Sequence, residues 1–264
     1  GNAHRNLADN PDNPNTYDPT NPESHRICGE IYDEAIRFFR PRVFHIGHDE
    51  VNMYGFPENE RTKKVSVTEW LRRDITHWHD FLTSRGIRVM LWGDQFLAKE
   101  DSAGASFAPS TTESKARRAQ LPSDVIIADW HYGDVPPASQ ISVPLWAREG
   151  FDAVVCPWSK PGNIVRFAKA AADERTRPAQ EGRRGQCLGL MQTTWAGFSN
   201  DEESFLGNQN QYAAYLLAAE SAWTGGYDRQ SDVPFDYVEE FARIWNRGLL
   251  PRGMTRDRGE IRWA

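Results

Sequence analysis

Cysteine is scarce in this sequence, and long apolar runs are missing. Three cysteines, Cys28, Cys156 and Cys187, stand among 264 residues, and no two of them form a Cys-x-x-Cys pair. This odd and sparse set favours neither a disulfide framework nor a structural zinc site. No run of about eighteen apolar residues occurs, so we predict no bilayer-spanning segment and expect no membrane partner.

An excess of one charge sign is also missing. The chain has 31 basic and 37 acidic residues, a formal net charge of −6, and the two signs are interspersed along the sequence. Such a surface attracts phosphate backbones weakly, so we expect no nucleic-acid partner. The chain begins with Gly1 and shows no basic start followed by an apolar stretch. The cellular compartment and the oligomeric state are therefore left open.

Aromatic residues, in contrast, are plentiful. The chain has 10 Trp, 13 Phe and 8 Tyr, and 39% of its residues are hydrophobic, which is typical of a folded globular chain with a sizeable core. We interpret residues 1–264 as one domain. Residues 1–22 are polar and rich in Asn and Pro, which predicts a loop, and residues 252–264 form a tail to which we assign no role.

Between these ends, short apolar runs alternate with segments of helical periodicity. Five runs read as strands, and each is followed by a predicted helix, which is typical of a parallel α/β sheet covered on both faces. The predicted strands lie within 43–50, 89–94, 125–131, 153–158 and 187–195, and the predicted helices within 23–40, 67–85, 113–120, 143–149, 164–175, 210–223 and 237–247.

Two α/β architectures fit this alternation. One is an open doubly wound sheet, and the other is part of an eight-stranded (β/α) barrel. No Gly-rich phosphate loop follows any of the strands, so the nucleotide-binding form of the open sheet lacks its main support. In both architectures, ligands bind at the carboxyl ends of the strands.

The predicted strand ends carry carboxylates and large aromatic side chains. A Trp at four of five strand ends, beside a carboxylate pair, favours an aromatic-walled pocket on which the flat apolar faces of sugars can stack. Tryptophans within predicted helices, at positions 70, 78, 146, 223 and 245, are expected in the core. The candidate site residues at the strand ends are His45, His48, Asp49, Glu50, Trp92, Asp94, Trp130, Tyr132, Trp158 and Trp195.

Asp49 and Glu50 are the candidate acid–base pair. Two carboxyl groups can divide acid–base work when one is kept protonated by apolar surroundings and the other is held ionised. Direct displacement needs a pair on opposite sides of the scissile bond. Neighbouring Cα atoms lie only about 3.8 Å apart, so this pair more naturally sits on one side of a sugar. The nucleophile would then come from elsewhere, for example from the substrate itself.

Residues 32–51 resemble the catalytic strand of an enzyme family. Within this segment, His45-Ile-Gly-His-Asp-Glu50 is similar to the motif His-x-Gly-Gly-Asp-Glu of the family 20 glycoside hydrolases, the β-N-acetylhexosaminidases. The order of the later strand ends is similar as well, so the likeness extends over about residues 10 to 225. The resemblance implies a (β/α)8 TIM barrel that hydrolyses a carbohydrate substrate, and we expect no metal and no cofactor.

The resemblance also implies a substrate-assisted mechanism. The acetamido oxygen of the sugar would attack its own anomeric carbon, with Glu50 as general acid and then base. Asp49 would orient the acetamido group and stabilise its developing positive charge. Trp92, Trp130 and Trp195 match the pocket tryptophans of the family by strand order. His45 matches the histidine of the motif.

Three positions depart from the family pattern. His48 stands where the family usually has its second Gly, and Gly197 replaces a Glu that usually follows the final Trp. After the fourth predicted strand the family commonly carries Tyr-x-Asp, whereas this chain has Cys156-Pro-Trp-Ser-Lys160. The identity of the sugar therefore stays open, and a glycoside without an acetamido group is an alternative.

By the resemblance, the predicted strands correspond to strands four to eight of the barrel. We therefore expect an incomplete barrel whose first three strands would precede Gly1. Such an arc would have two open sheet edges, so we expect weak independent stability.

Two further functions are open. His45, His48, Asp49 and Glu50 lie close in sequence, and His77 and His79 add two imidazoles, so a metal-dependent hydrolase is one alternative. Residues two apart on a helix point about 200° away from each other, which disfavours a shared metal for His77 and His79. A non-catalytic carbohydrate-binding barrel is the other alternative, because an aromatic wall would bind sugar even without turnover.

Overall fold

The structure, a computed structural model, describes residues 2–53, 55–177, 185–197, 199 and 201–248. It has a single parallel sheet of five strands, joined in the sequential order β1-β2-β3-β4-β5. The strands are β1 (Val43–His45), β2 (Arg88–Trp92), β3 (Ile126–Trp130), β4 (Asp152–Cys156) and β5 (Cys187–Leu190). A doubly wound sheet reverses its strand order, so this order favours an arc of a barrel.

Helices connect the strands, as the alternating pattern predicted. They are α1 (Pro22–Phe39), α2 (Val67–Thr83), α3 (Thr111–Arg118), α4 (Ser142–Glu149), α5 (Pro161–Thr176), α6 (Glu202–Gly207), α7 (Gln209–Thr224) and α8 (Tyr237–Gly248). The seven predicted helices are confirmed to within about three residues at their ends, and α6 is an additional short helix.

Local sequence explains where the first two of these helices begin and end. The Asn21 side chain caps α1 by accepting a hydrogen bond from the Glu23 backbone N–H at 3.1 Å, and Pro22 occupies the first helical turn. Arg40 then ends α1 in the left-handed conformation, just before Pro41. Ser66 caps α2 through the Glu69 backbone N–H.

The main core lies between strands β2 and β3 and the helices α2 and α4. Each of these four elements contributes to its most completely buried side chains, which include Trp78, Leu82, Leu91, Ile127 and Trp146. A second apolar cluster joins α5, α7 and α8. The two clusters fix the strands against their helices and so set the positions of the strand ends.

Three expectations about local structure need correction. The first 22 residues are not all loop, because Asn2–Leu7 forms a 3₁₀ helix and Ala8 pairs with Tyr17 in an isolated bridge. The first strand ends at His45, because the backbone turns at Gly47 and His48, which both have positive φ. Trp223 is 92% exposed and was wrongly expected in the core.

The other helical tryptophans are placed as expected. Trp70, Trp78 and Trp146 are buried, and Trp245 packs against the second cluster. The predicted tail, residues 252–264, lies outside the described residues. Within the described ranges, none of the helices combines the length and the apolar character that crossing a membrane requires.

Candidate active site

The acid–base pair follows β1 in a tight turn. Gly47, His48 and Glu50 have φ values of 78°, 70° and 50°, so three of four consecutive residues adopt the left-handed region. The turn leaves Asp49 and Glu50 partly buried. Burial raises the pKa of the Asp49 carboxyl. Burial, and secondly the negative charge of Asp49, raise the pKa of Glu50.

Asp94 connects this turn to the aromatic residues. It follows β2, is 1% exposed, and accepts hydrogen bonds with both carboxylate oxygens. Oδ2 accepts from the Glu50 backbone N–H at 2.9 Å, and Oδ1 accepts from Nε1–H of Trp130 at 3.1 Å. Burial raises the pKa of Asp94 to about 6, against the effect of these donors. One side chain therefore fixes both the backbone of Glu50 and the indole of Trp130.

The predicted aromatic residues form one continuous wall. Ring centroids lie 6.3 Å apart between Trp92 and Trp195, 4.9 Å between Trp130 and Tyr132, and 5.4 Å between Tyr132 and Trp158. The indole Nε1–H of Trp195 donates to the Tyr132 hydroxyl at 2.7 Å, which joins the two halves. Trp195 is 51% exposed, so the wall is open to a ligand on that side. These contacts bring together five side chains from four strand ends.

Helix α7 holds the far end of the wall. The buried side chain of Gln211 presents Oε1 to Nε1–H of Trp158 and to the Trp195 backbone N–H, each at 2.7 Å. The hydroxyl of Thr194 donates to the same oxygen at 3.0 Å. Gln211 therefore aligns two strand ends with each other.

His45 lies beneath the wall. Its ring packs against Trp92 with centroids 4.5 Å apart, and its Nδ1 accepts a hydrogen bond from the Gly47 backbone N–H at 3.0 Å. Burial lowers the pKa of His45 to about 4, so the ring is neutral at neutral pH. Its role here is to support Trp92 and the start of the turn.

His48 and Asp94 are the predicted site residues that lie apart from the open face of the wall. Asp94 is covered by the protein, and the His48 ring packs towards helix α2, where its Nε2 lies 2.8 Å from Oδ2 of Asp74. The structure brings the five aromatic residues of the wall together, with His45 packed against Trp92. Asp49 and Glu50 lie on the turn that Asp94 joins to the wall.

Sequence reasoning missed Asp74 and Gln211. Asp74 leaves a signal, because it lies four residues after Trp70 and four before Trp78, on the buried face of α2. A polar residue at an apolar position of an amphipathic helix indicates a buried hydrogen-bond partner elsewhere in the fold. Gln211 lies on α7, whose apolar residues do not mark one face, so no such signal points to it.

The histidines that the sequence offers as metal ligands have different neighbours. In the part of the chain that the structure describes, no three His, Cys, Asp or Glu side chains are grouped so as to hold a metal ion. His77 stacks against His25, with centroids 4.3 Å apart, whereas Nε2 of His79 contacts Asp124. The metal-dependent alternative therefore has no site among these residues.

A parallel α/β arc whose strand ends carry a carboxylate pair and neighbouring aromatic rings is compatible with a barrel-type glycoside hydrolase. Comparison with known proteins gives the same class. The family model "Glycosyl hydrolase family 20, catalytic domain" matches residues 3–226. The chain belongs to glycosyl hydrolase family 20.

Individual relatives are more distant. A β-hexosaminidase of Emericella nidulans is 25% identical over 137 residues, which cover 46% of this chain and 19% of that protein. The fold resembles an exo-β-N-acetylglucosaminidase of Vibrio harveyi, with a TM-score of 0.55 at 17% identity over 88% of this chain and 36% of that one. It also resembles a β-N-acetylhexosaminidase of Bacteroides fragilis, with a TM-score of 0.54 at 14% identity over 93% and 48%.

This chain corresponds to only part of each of these relatives. The chain spans about a fifth of the curated relative and between a third and a half of the two solved structures. At identities below 25%, the solved structures support the fold alone.

Proposed function

We propose that the protein is a glycoside hydrolase that removes terminal β-linked N-acetylhexosamine by a substrate-assisted, retaining mechanism. The observation that carries this proposal is the connection made by Asp94, which ties the backbone of Glu50 and the indole of Trp130 to one carboxylate. A sugar stacked on the wall would therefore meet the acid–base pair at a fixed distance. Family membership supports the same activity.

In the proposed first step, Glu50 acts as the general acid. Its raised pKa, which burial and the charge of Asp49 cause, favours the protonated form that a general acid needs. The Glu50 proton passes to the glycosidic oxygen as the bond between that oxygen and the anomeric carbon breaks. The acetamido oxygen of the same sugar forms a new bond to the anomeric carbon, which gives an oxazolinium ion.

Asp49 stabilises that ion in the proposed scheme. Its carboxylate would accept the acetamido N–H and offset the positive charge that develops on the ring. In the second step, ionised Glu50 takes a proton from water, the water oxygen attacks the anomeric carbon, and the acetamido group is released. Neighbouring Cα atoms lie about 3.8 Å apart, so both carboxyl groups would reach the same sugar, with Glu50 at the glycosidic oxygen and Asp49 at the acetamido group.

We also propose that β1 to β5 are strands four to eight of an eight-stranded barrel. The sequential parallel order and the position of the acid–base pair after β1 support this assignment.

Release of nitrophenol from aryl glycosides tests the function. We would assay the β-N-acetylglucosaminide, the β-N-acetylgalactosaminide and the β-glucoside, with this chain and with a form extended N-terminally by about one hundred residues of its natural protein. Glu50→Gln should lower turnover by about 10²–10⁴-fold while sugar binding, followed by tryptophan fluorescence, survives.

The pattern of substrates separates the alternatives. Turnover of the acetamido glycosides alone, lost in Glu50→Gln, is the expected result. No turnover of any glycoside by the extended form, with sugar binding retained, would refute the proposal and favour a carbohydrate-binding barrel. Turnover of the β-glucoside at a similar rate would refute the substrate-assisted mechanism, because that sugar has no acetamido group.

A further inference from the structure

The turn that carries the acid–base pair is strained. His48 and Glu50 are not glycines, yet both have positive φ, a conformation that is strained for most residues. Such residues persist where surrounding contacts hold them. On the Glu50 side, the contact is the hydrogen bond from its backbone N–H to Asp94. On the His48 side, the contact is made by the imidazole.

Both nitrogens of the His48 ring face acceptors. Nδ1 lies 3.0 Å from the Ile46 carbonyl oxygen, and Nε2 lies 2.8 Å from Oδ2 of Asp74. The side chains of His48 and Asp74 are each 8% exposed. The carboxylate oxygen of Asp74 can only accept, so the His48 ring donates to it from Nε2. The contacts at both nitrogens fix the ring in one orientation.

Asp74 is itself held from several directions. Its carboxylate accepts a hydrogen bond from the Tyr17 hydroxyl, and Nε2 of His25 lies 2.8 Å from Oδ1. These partners come from the segment before α1 and from α1, while Asp74 belongs to α2. The three donors, with His48 among them, hold the pKa of Asp74 well below its usual value against the effect of burial. The ionised carboxylate of Asp74 therefore lies beside the His48 ring.

We propose that His48 and Asp74 form a positioning pair that holds the turn of Asp49 and Glu50 against helix α2, an inference that rests on the proposed function. His48 then acts through the backbone instead of touching the sugar. The pair explains how this chain accommodates an imidazole where the family usually has a glycine. It supplies a side-chain anchor for the turn in a place where glycine could supply only conformational freedom.

Kinetics of six forms of the full natural protein test the pair. They are the wild type, His48→Gly, His48→Gln, Asp74→Asn, the double variant His48→Gly with Asp74→Asn, and the control Asp80→Asn. Glycine adopts positive φ without strain, so His48→Gly removes the anchor alone. Gln reaches about as far as the imidazole and can still donate to Asp74. Asp80 lies on the same helix and is largely exposed.

We expect His48→Gly to lower kcat on the aryl β-N-acetylglucosaminide by about tenfold or more, with KM changed by less than about threefold, because a small displacement of reacting groups costs rate. His48→Gln should restore most of kcat. The double variant should lose no more than His48→Gly alone, since both changes break one interaction. Asp80→Asn should match the wild type, and thermal melts should show that every form compared is folded.

Three results would overturn the positioning role. They are a kcat for His48→Gly within about twofold of the wild type, losses that multiply in the double variant, or a rise in KM at unchanged kcat, which would indicate direct sugar contact. A wild type inactive on all the glycosides would instead refute the proposed function. In that case ¹⁵N NMR of the His48 ring decides: an Nε2 resonance that shifts in Asp74→Asn supports the pair, and one that does not shift refutes it.

Discussion

Asp94 is 1% exposed, and both of its carboxylate oxygens face protein donors. Its place after β2 predicted contact with a substrate instead. Polar side chains that follow a strand can line the pocket, or they can be buried and hold the pocket residues in place. Which of the two roles a residue takes depends on the side chains that neighbouring strands bring to it, and these follow only from the fold. We assign Asp94 a supporting role.

Asp94→Asn tests that role. The amide keeps one acceptor, so its NH₂ group would face either the Glu50 backbone N–H or the Trp130 indole N–H. Leaving a buried donor unsatisfied costs about 1–3 kcal/mol, and we expect the free energy of unfolding to fall by about that amount. Urea titration of the full natural protein measures the change. Asp80→Asn is the surface control, and equal stability of Asp94→Asn and wild type would contradict the supporting role.

The pH dependence of turnover tests the acid. A general acid must be protonated, so activity falls as pH rises through the pKa of Glu50, which burial and the charge of Asp49 raise. Asp49→Asn removes that charge. We therefore expect the alkaline limb of the kcat profile, measured on the residual activity, to move to lower pH. A limb that stays in place would show that Asp49 does not influence the acid.

The site residues that could not be predicted are held by contacts between positions distant in sequence. Asp49, Glu50 and the wall tryptophans follow apolar runs, so their positions could be read from the pattern. Asp74 lies 26 residues from His48, and Gln211 lies 53 residues from Trp158. The pattern of α2 indicates that Asp74 is buried, but the partners of Asp74 and Gln211 are set by the packing of α2 and α7.

Helix α7 connects two strand ends through a single amide. Gln211 receives three hydrogen bonds on one oxygen, from Trp158, Thr194 and Trp195, and its Nε2 donates to Oδ1 of Asn208. The start of α7 is thereby fixed to the wall. Movement of this helix end would separate Trp158 from Trp195.

Gln211→Leu should loosen the wall. Leucine has a similar size but accepts no hydrogen bond, so the two indole-bearing segments lose their common partner. We expect sugar affinity, measured by tryptophan fluorescence with N-acetylglucosamine, to weaken by about tenfold, which corresponds to about 1.4 kcal/mol. Gln211→Glu keeps the acceptor and should bind more tightly than the Leu variant. Equal affinity of the two variants would show that the hydrogen bonds do not hold the wall.

Periodicity was a good guide to the strands and helices and a poor guide to their ends. Apolar spacing predicted α2 and α5, because each buries an apolar face. It also predicted α1, although Phe38 and Phe39 of that helix are exposed. It could not show that β1 stops at His45, since the left-handed turn depends on contacts with α2 and Asp94. Trp223 at the last turn of α7 was misassigned, because α7 is apolar on most of its surface and its periodicity does not mark one buried face.

The sheet has two open edges. Among the described residues, β1 pairs only with β2, and β5 pairs only with β4. Large apolar side chains are exposed beside them: Phe38 is 79% and Phe39 72% exposed near β1, and Trp223 lies near β5. Unpaired edges and exposed aromatic side chains expose surface that favours association. The solved relatives are two to three times longer than this chain's match to them.

This geometry predicts weak stability for residues 1–264 taken alone. The arc buries one side of its strands against helices, but its edge strands lack a second neighbour among the described residues. The buried surface that offsets the loss of conformational entropy on folding is therefore smaller than in a closed barrel. We expect far-UV circular dichroism to show a broad melt, or a midpoint below about 55 °C, and light scattering to show association.

Extension at the N-terminus by about one hundred residues of the natural protein should raise the midpoint and sharpen the transition, because added strands would pair with β1. A cooperative melt above about 55 °C for residues 1–264, unchanged by extension, would show that the arc is a self-sufficient fold and would contradict the assignment of its strands to part of a larger barrel.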